Sequence, residues 1–356
     1  MSSSLPVKLN PQIVARSIQP CQSPRRGAGD TKTAHWKAEL THAFRDVPAL
    51  LRALGLEPAD VPGLDPAPAG LRLLVPRGFA ARMTPGDPAD PLLRQVLPLE
   101  AEQLPMGGFG PDPVGDQAAT RAPGLVQKYA GRALLMAQGA CAIHCRYCFR
   151  RHYPYADLGA SGPRFEGALE TIGADRTLTE VILSGGDPLL LDDGPLESLL
   201  RCLDAIPHLR RLRIHSRLPV VLPERVTEGL CRVLGAVRLS AVVVIHANHP
   251  RELGDATAGA LARLRGAGST LLNQGVLLRG VNDDVDTLAE LSERLFGQGV
   301  VPYYLHQVDP VQGAAHFQVP DREALALIEQ LRARLPGYLV PRLVREVAGE
   351  ACKRHL

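Results

Sequence analysis

At 356 residues, 45% of them hydrophobic and 22% charged, the chain can bury a large core with a smaller accessory region and has the balance of an ordinary globular protein. A net charge of +3 with no long Lys/Arg run gives no basis for nucleic-acid binding. No stretch of about 18 apolar residues offers a membrane span, and the N-terminus lacks the apolar core of a secretion signal, so a cytoplasmic protein is expected.

Residues 1–34, rich in Ser, Pro, Arg and Gly, read as a mobile tail. Residues 35–125 read as a small helical N-terminal region. Within it, Trp36, Leu40, Phe44, Val47, Leu51 and Leu54 stand at helical spacing and predict an amphipathic helix over 36–54. From residue 57 the region is Pro-rich, with short helical stretches at 76–83 and 92–96. Residues 126–335 alternate short apolar strands with amphipathic helices. The strands are expected at 133–137, 181–183, 212–215, 242–246, 270–276 and 301–306. The helices are expected at 165–172, 195–206, 223–234, 252–266, 284–296 and 321–335. Continuously apolar strands joined by helical crossovers imply a parallel sheet buried on both faces. Six units are fewer than the eight of a closed barrel. The expected fold is therefore α/β, a partial, open (β/α)6 barrel, with a doubly wound sheet as the competitor. Residues 336–356 form a short C-terminal segment.

In either fold the chemistry belongs at the C-terminal ends of the strands. The first such loop carries Cys141, Cys145 and Cys148, at spacings of four and three. Three thiolates in one loop can converge on one metal centre. A four-iron cluster is usually held by four thiolates, so three leave an iron open to a ligand. The CxxxCxxC run resembles the cluster signature of radical S-adenosylmethionine (SAM) enzymes. A zinc site completed by His144 or His152 is the alternative. The other cysteines, Cys21, Cys202, Cys231 and Cys352, do not make a disulfide framework and suit a reducing compartment.

The second strand ends in Ser184-Gly185-Gly186-Asp187, either a plain turn or a backbone cradle for a ligand. Arg150 and Arg151 follow the last loop cysteine, and an arginine fork suits a carboxylate. His215, His246, His249, His306 and His316 are left without a role, because a lone histidine at a strand end is more often a hydrogen-bonded core residue. Only five of the 40 basic residues are lysines, and three of these lie in the first 37 residues. Any Schiff-base chemistry with pyridoxal phosphate (PLP) therefore falls to Lys128 or Lys353. Lys128 lies four residues before Arg132, a pair that better suits a phosphate.

Taken together, KYAGRALL, CAIHCRYCFRRHYPYA, ILSGGDPLL, RIHSRLPVVLP, LLNQGVLLRGVND, PYYLHQVDPVQGAAHF and GYLVPRLVREV resemble the lysine 2,3-aminomutase family of radical SAM enzymes from about Trp36 to Lys353. Within it, they are nearest the short bacterial branch that makes β-lysine for elongation factor P. The resemblance implies a [4Fe-4S] cluster on Cys141, Cys145 and Cys148. It implies SAM held at Ser184, Gly185, Gly186 and Asp187, and PLP on Lys353 with its phosphate near Lys128, Tyr129 and Arg132. L-lysine would be gripped by Arg150 at its carboxylate and by Asp309 and Glu346 at its terminal ammonium. The implied reaction is a 1,2-amino migration, with a flavodoxin or ferredoxin as electron donor. The ligase that attaches β-lysine to elongation factor P is a candidate partner. A free lysine 2,3-aminomutase of small-molecule metabolism and a non-catalytic zinc module are the alternatives. The sequence departs from the larger aminomutases in three places. Ala348-Gly349-Glu350-Ala351-Cys352 stands where they carry a polyglycine run, Glu346 stands for an aspartate, and their C-terminal assembly segment has no counterpart.

Overall fold

The computed structural model describes residues 31–68, 70–155 and 165–356, with the backbone alone at 31–34. The predicted tail therefore lies, up to residue 30, outside the described residues.

One mixed sheet organises the molecule. Its strands are β1 (Thr120–Ala122), β2 (Leu125–Tyr129), β3 (Arg132–Gln138), β4 (Glu180–Gly185), β5 (Arg211–Ser216), β6 (Ser240–Ile245), β7 (Thr270–Leu277), β8 (Val301–Gln307), β9 (Arg342–Arg345) and β10 (Arg354–His355). They neighbour one another in sequence order. Pairing is parallel from β3 through β9 and antiparallel at both ends. A doubly wound sheet needs a point where strand order reverses. This order never reverses, so the open barrel is the arrangement found. The six predicted strands are β3 to β8. The sheet does not close on itself, because β1 and β10 each pair on one side only.

Side chains alternate across each strand, so i and i+2 share a face. Arg213 and His215, Gln274 and Val276, and Tyr304 and His306 form such pairs on the concave face, where all six line one cavity. Their alternates Leu212, Ile214, Leu271 and Leu305 are buried in apolar clusters on the other side. Helices Glu166–Ala174, Asp193–Asp204, Glu228–Gly235, Asp255–Gly266, Val285–Gly297 and Asp321–Arg334 provide the crossovers.

Two expectations are corrected. The helix predicted over 36–54 is two helices, Thr31–Thr41 and Val47–Ala53. Asp46 breaks it: its carboxylate accepts from Ala49 N at 2.8 Å, and Pro48, lacking a backbone donor, begins the second helix. Likewise the helix predicted from residue 223 starts at Glu228, where Thr227 caps Leu230 N at 3.1 Å. The sequence reading also missed β1, β2, β9 and β10. The N-terminal residues Trp36, Phe44, Leu51, Phe79 and Leu93 share one core with Leu183, Ile214 and Val243 of the barrel.

Candidate active site

The concave face encloses a cavity of about 990 Å³. Every residue singled out from the sequence as a site residue lines it: Cys141, Cys145, Cys148, Lys128, Tyr129, Arg132, Ser184, Gly185, Gly186, Asp187, Arg150, Asp309, Glu346 and Lys353. The residues fall into two groups at two ends.

The cysteine loop follows β3 and is tied down by residues distant in sequence. His144 N donates to Leu74 O at 3.0 Å and Arg146 N to Gln95 O at 2.9 Å. Arg217, just beyond β5, reaches Cys145 Sγ at 2.7 Å with Nη1, and Gln95 Oε1 at 2.7 Å and Glu252 Oε2 at 2.9 Å with Nη2. Glu252 is fully buried and also accepts from Asn248 N and His249 N. Burial, reinforced by the neighbouring cysteines, raises the Cys141 thiol and pushes Cys148 up to about 11. Cys141 and Cys148 are therefore held protonated without metal, and binding one must release their protons.

The histidines proposed to complete a zinc site are committed to backbone carbonyls. His144 Nδ1 lies 2.7 Å from Arg72 O, and His152 Nε2 lies 3.1 Å from Gln312 O. Among the described residues no three His, Cys, Asp or Glu close on a single ion, and no disulfide joins the described cysteines.

The glycine turn after β4 has a reason the sequence did not show. Gly186 N donates to Gln138 O at 2.6 Å and Asp187 N to Ala140 O at 2.8 Å, so the turn lies against the start of the cysteine loop. A Cβ on Gly185 or Gly186 would strike those carbonyls, and Gly185 also has φ +117°. The Asp187 carboxylate is engaged by Ser216 Oγ at 2.7 Å, Leu189 N at 3.0 Å, Arg217 N at 2.8 Å and Leu218 N at 3.1 Å. It therefore locks β4 to β5, and a cofactor contact by that carboxylate would replace one of these bonds.

The arginines after Cys148 part company. Arg151 is bound to Glu102 at 2.6 Å, Arg146 O at 2.9 Å and Gly313 O at 3.0 Å, which removes it from any fork. Arg150 gives Nε to Asp116 at 2.7 Å and Nη1 to Ser184 Oγ at 2.9 Å. The side-on fork through Nε is thus taken, and the Nη edge is left for an end-on grip.

At the opposite end Lys353 enters from the turn before β10. The β9–β10 hairpin, with Arg354 opposite Arg345, folds Lys353 onto Glu346, and the two form an ion pair. Lys128 on β2 sits 3.2 Å from Glu346 and 2.6 Å from Asp116. A register shift between Val126 and Tyr129 turns consecutive residues Lys128 and Tyr129 toward the cavity. Arg132 lies over the Tyr129 ring at 4.5 Å. Burial opposes ionisation of Glu346, but the Lys353 and Lys128 ammonium groups override it and hold the carboxyl at about 2. Asp309 goes the other way: burial pushes it up to about 7, and its Oδ1 has no hydrogen-bond partner among the described residues. Between the two ends His215, His246 and His306 line the wall, and burial lowers all three, His246 to about 4. His215 Nε2 and His306 Nε2 are buried without partners.

The groups implied by the sequence fit these residues. A thiol donor set faces a roomy cavity at one end. At the other, a primary amine stands beside cations, with a half-buried carboxyl nearby whose Oδ1 has no partner among the described residues.

No protein-family profile matches the chain. Individual relatives do. The L-lysine 2,3-aminomutase of Escherichia coli (strain K12) is 48% identical over 323 residues, covering 90% of this chain and 94% of that protein. The Haemophilus influenzae L-lysine 2,3-aminomutase is 45% identical over 90% of this chain and 94% of its own length. That of Clostridium subterminale is 33% identical over 91% of this chain and 78% of its own length. With its cysteine loop and Lys353 meeting in one cavity and this depth of identity along nine-tenths of its length, the chain belongs to the L-lysine 2,3-aminomutase family, a family of isomerases.

Proposed function

We propose that the protein converts L-lysine to β-lysine as a radical SAM, PLP-dependent isomerase in the cytoplasm, and that its product serves the modification of elongation factor P. The observation that carries this reading is the single cavity joining Cys141, Cys145 and Cys148 to Lys353 and the unpartnered Asp309. Cysteine thiolates and a lysine amine are the donors that an iron–sulfur cluster and PLP require. When bound, SAM with the reduced cluster supplies one-electron hydrogen-abstraction chemistry, and PLP supplies an electron sink for the migrating nitrogen.

The chain supplies attachment and position. Lys353 is the amine that anchors PLP, and Lys128, Tyr129 and Arg132 face its phosphate. Ser184, Gly185, Gly186 and Asp187 shape the wall beside the cysteine loop, where SAM is held. Arg150 meets the substrate carboxylate through its Nη edge. Asp309 and Glu346 receive the terminal ammonium, so the spacing between Arg150 and these acids measures the length of lysine. The unpartnered Asp309 Oδ1 is the clearest vacancy for a cation on the wall. The neutral, desolvated histidines keep the middle of the cavity free of competing charge. Electrons come from a flavodoxin or ferredoxin, and the ligase that attaches β-lysine to elongation factor P is the downstream partner.

The test is anaerobic reconstitution with iron and sulfide, followed by electron paramagnetic resonance and product analysis with a panel of amino acids. A reducible four-iron signal with β-lysine formed from lysine is the expected result. A tightly held zinc ion with no SAM cleavage would leave the binding-module reading instead.

A further inference from the structure

Asp116 is 1% exposed and lies in a Pro- and Gly-rich segment before β1 that no sequence motif marks. Its two oxygens face two different cations of the cavity. Oδ2 accepts from Arg150 Nε at 2.7 Å, and Oδ1 lies 2.6 Å from Lys128 Nζ. The Arg150 contact is an aligned hydrogen bond, whereas the Lys128 contact is ionic without that alignment. Burial opposes the charge on Asp116, yet Arg150 and Lys128 hold its carboxyl below the usual range. The two cations do not depend on it equally. Lys128 has a second acid, Glu346, at 3.2 Å. Among the described residues Arg150 makes one acid contact, with Asp116, and its other bond goes to the neutral Ser184 hydroxyl.

We infer that Asp116 is a positioning residue for substrate selection: by taking Nε of Arg150 it fixes the guanidinium so that its Nη edge faces the cavity and reads a carboxylate end-on. This rests on the assignment of Arg150 to the lysine carboxylate and adds the residue that aims it. A planar guanidinium held at Nε by a charged acceptor and at Nη1 by a hydroxyl has one orientation. Without the acceptor it has several, and a carboxylate then has to order it on binding. The substitution Asp116→Asn keeps the shape of the side chain but removes the charge, and it presents an amide donor to one of two cations.

The experiment is calorimetric binding to the reconstituted full chain, anaerobic and without reductant so that no turnover occurs. The two probes are L-lysine and 1,5-diaminopentane, which is lysine without its carboxylate. The parent should prefer lysine by about tenfold or more, the equivalent of about 1.4 kcal/mol. Asp116→Asn should lose most of that preference by weakening lysine alone, with diaminopentane binding little changed, even though unpairing a buried carboxylate lowers the melting temperature. Asp116→Glu, which keeps the charge and displaces Arg150 by one methylene, should fall between. A merely structural residue would weaken both probes together. The parent ratio surviving in Asp116→Asn or, if that variant fails to fold, in Asp116→Glu overturns the inference while leaving the substrate reading intact. A parent that does not distinguish the two probes overturns the carboxylate reading itself, and the inference with it.

Discussion

The cysteine end and the lysine end of the cavity are held by opposite means. At the cysteine end the charged groups are mostly paired within the protein, Arg151 Nε and Arg217 Nε alone of their polar atoms being buried without partners among the described residues. Arg146 and Arg151 share Glu102, Arg217 is divided among Cys145, Gln95 and Glu252, and Asp187 is fully bonded. At the lysine end the charges lean on one another across the opening: Lys353 and Lys128 on Glu346, Lys128 also on Asp116, and Asp309 with an unpartnered oxygen. A network of mutually bonded buried groups fixes geometry and resists exchange. Ion pairs at a cavity wall can be replaced by the charges of a ligand. One end is thus built to hold the cysteine loop still, and the other to trade partners.

The sharpest way to break this contrast is at the cysteine loop. Cys145→Ser leaves two thiolates and is expected to abolish iron retention and SAM cleavage while the helical circular dichroism signal persists. Iron content and methionine release after anaerobic reconstitution check it, and parent-level cleavage would refute the cluster assignment. Next is the amine. Lys353→Ala should abolish the visible PLP absorbance, whereas Lys128→Ala should only weaken PLP binding. Borohydride reduction and peptide mapping would decide between them, a pyridoxyl label on Lys128 alone being the contrary result.

A third change tests the cysteine end by stability. Glu102→Gln leaves Arg146, which is 1% exposed, and Arg151 without their shared carboxylate. Breaking a buried pair from one side costs about 3–5 kcal/mol, so urea unfolding should shift by that amount. An unaltered midpoint would show that the network is not what fixes the loop. The smallest effect concerns Asp309. Asp309→Asn should weaken lysine by about 2–5 kcal/mol with cluster and PLP content retained. In the parent, lysine affinity should rise with pH through about 7, because Asp309 must be ionised to hold an ammonium. The same raised carboxyl means that its contribution to folding stability is largest below the unfolded aspartate value of about 4 and is lost as pH rises to about 7. Binding of lysine that is flat with pH in the parent, or unaffected by Asp309→Asn, would remove Asp309 from the substrate site.

Much of this was legible in the sequence because it is written locally. Six apolar strands, the cysteine spacing and the scarcity of lysines are patterns within a few residues, and the residues they mark do line one cavity. What was missed is written at long range. Glu102 meets Arg146 across 44 positions, Gln95 meets Glu252 across 157, and Lys128 meets Glu346 across 218. A lone acid such as Asp116 in a proline-rich segment has no periodic neighbour to announce it. Arg151 was read as one arm of a fork because its type and position suit one. Only its partners show that it braces the loop. The glycines of the second strand end were read as making room for a ligand, and they first make room for the backbone of the preceding loop.

The open sheet has one further consequence. Between β2 and the end of β9 the wall is joined by the Lys128–Glu346 pair, not by a ladder of backbone bonds. A closed barrel admits ligands through its mouth, since parting two strands would break several peptide hydrogen bonds together. Here side-chain contacts, Lys128 and Tyr129 with Glu346, join the two edges, and charged molecules arriving there bring replacements for what they displace. A ligand that entered here would exchange ions with this pair, and added salt, which screens charges but leaves a backbone ladder largely intact, should then speed its passage.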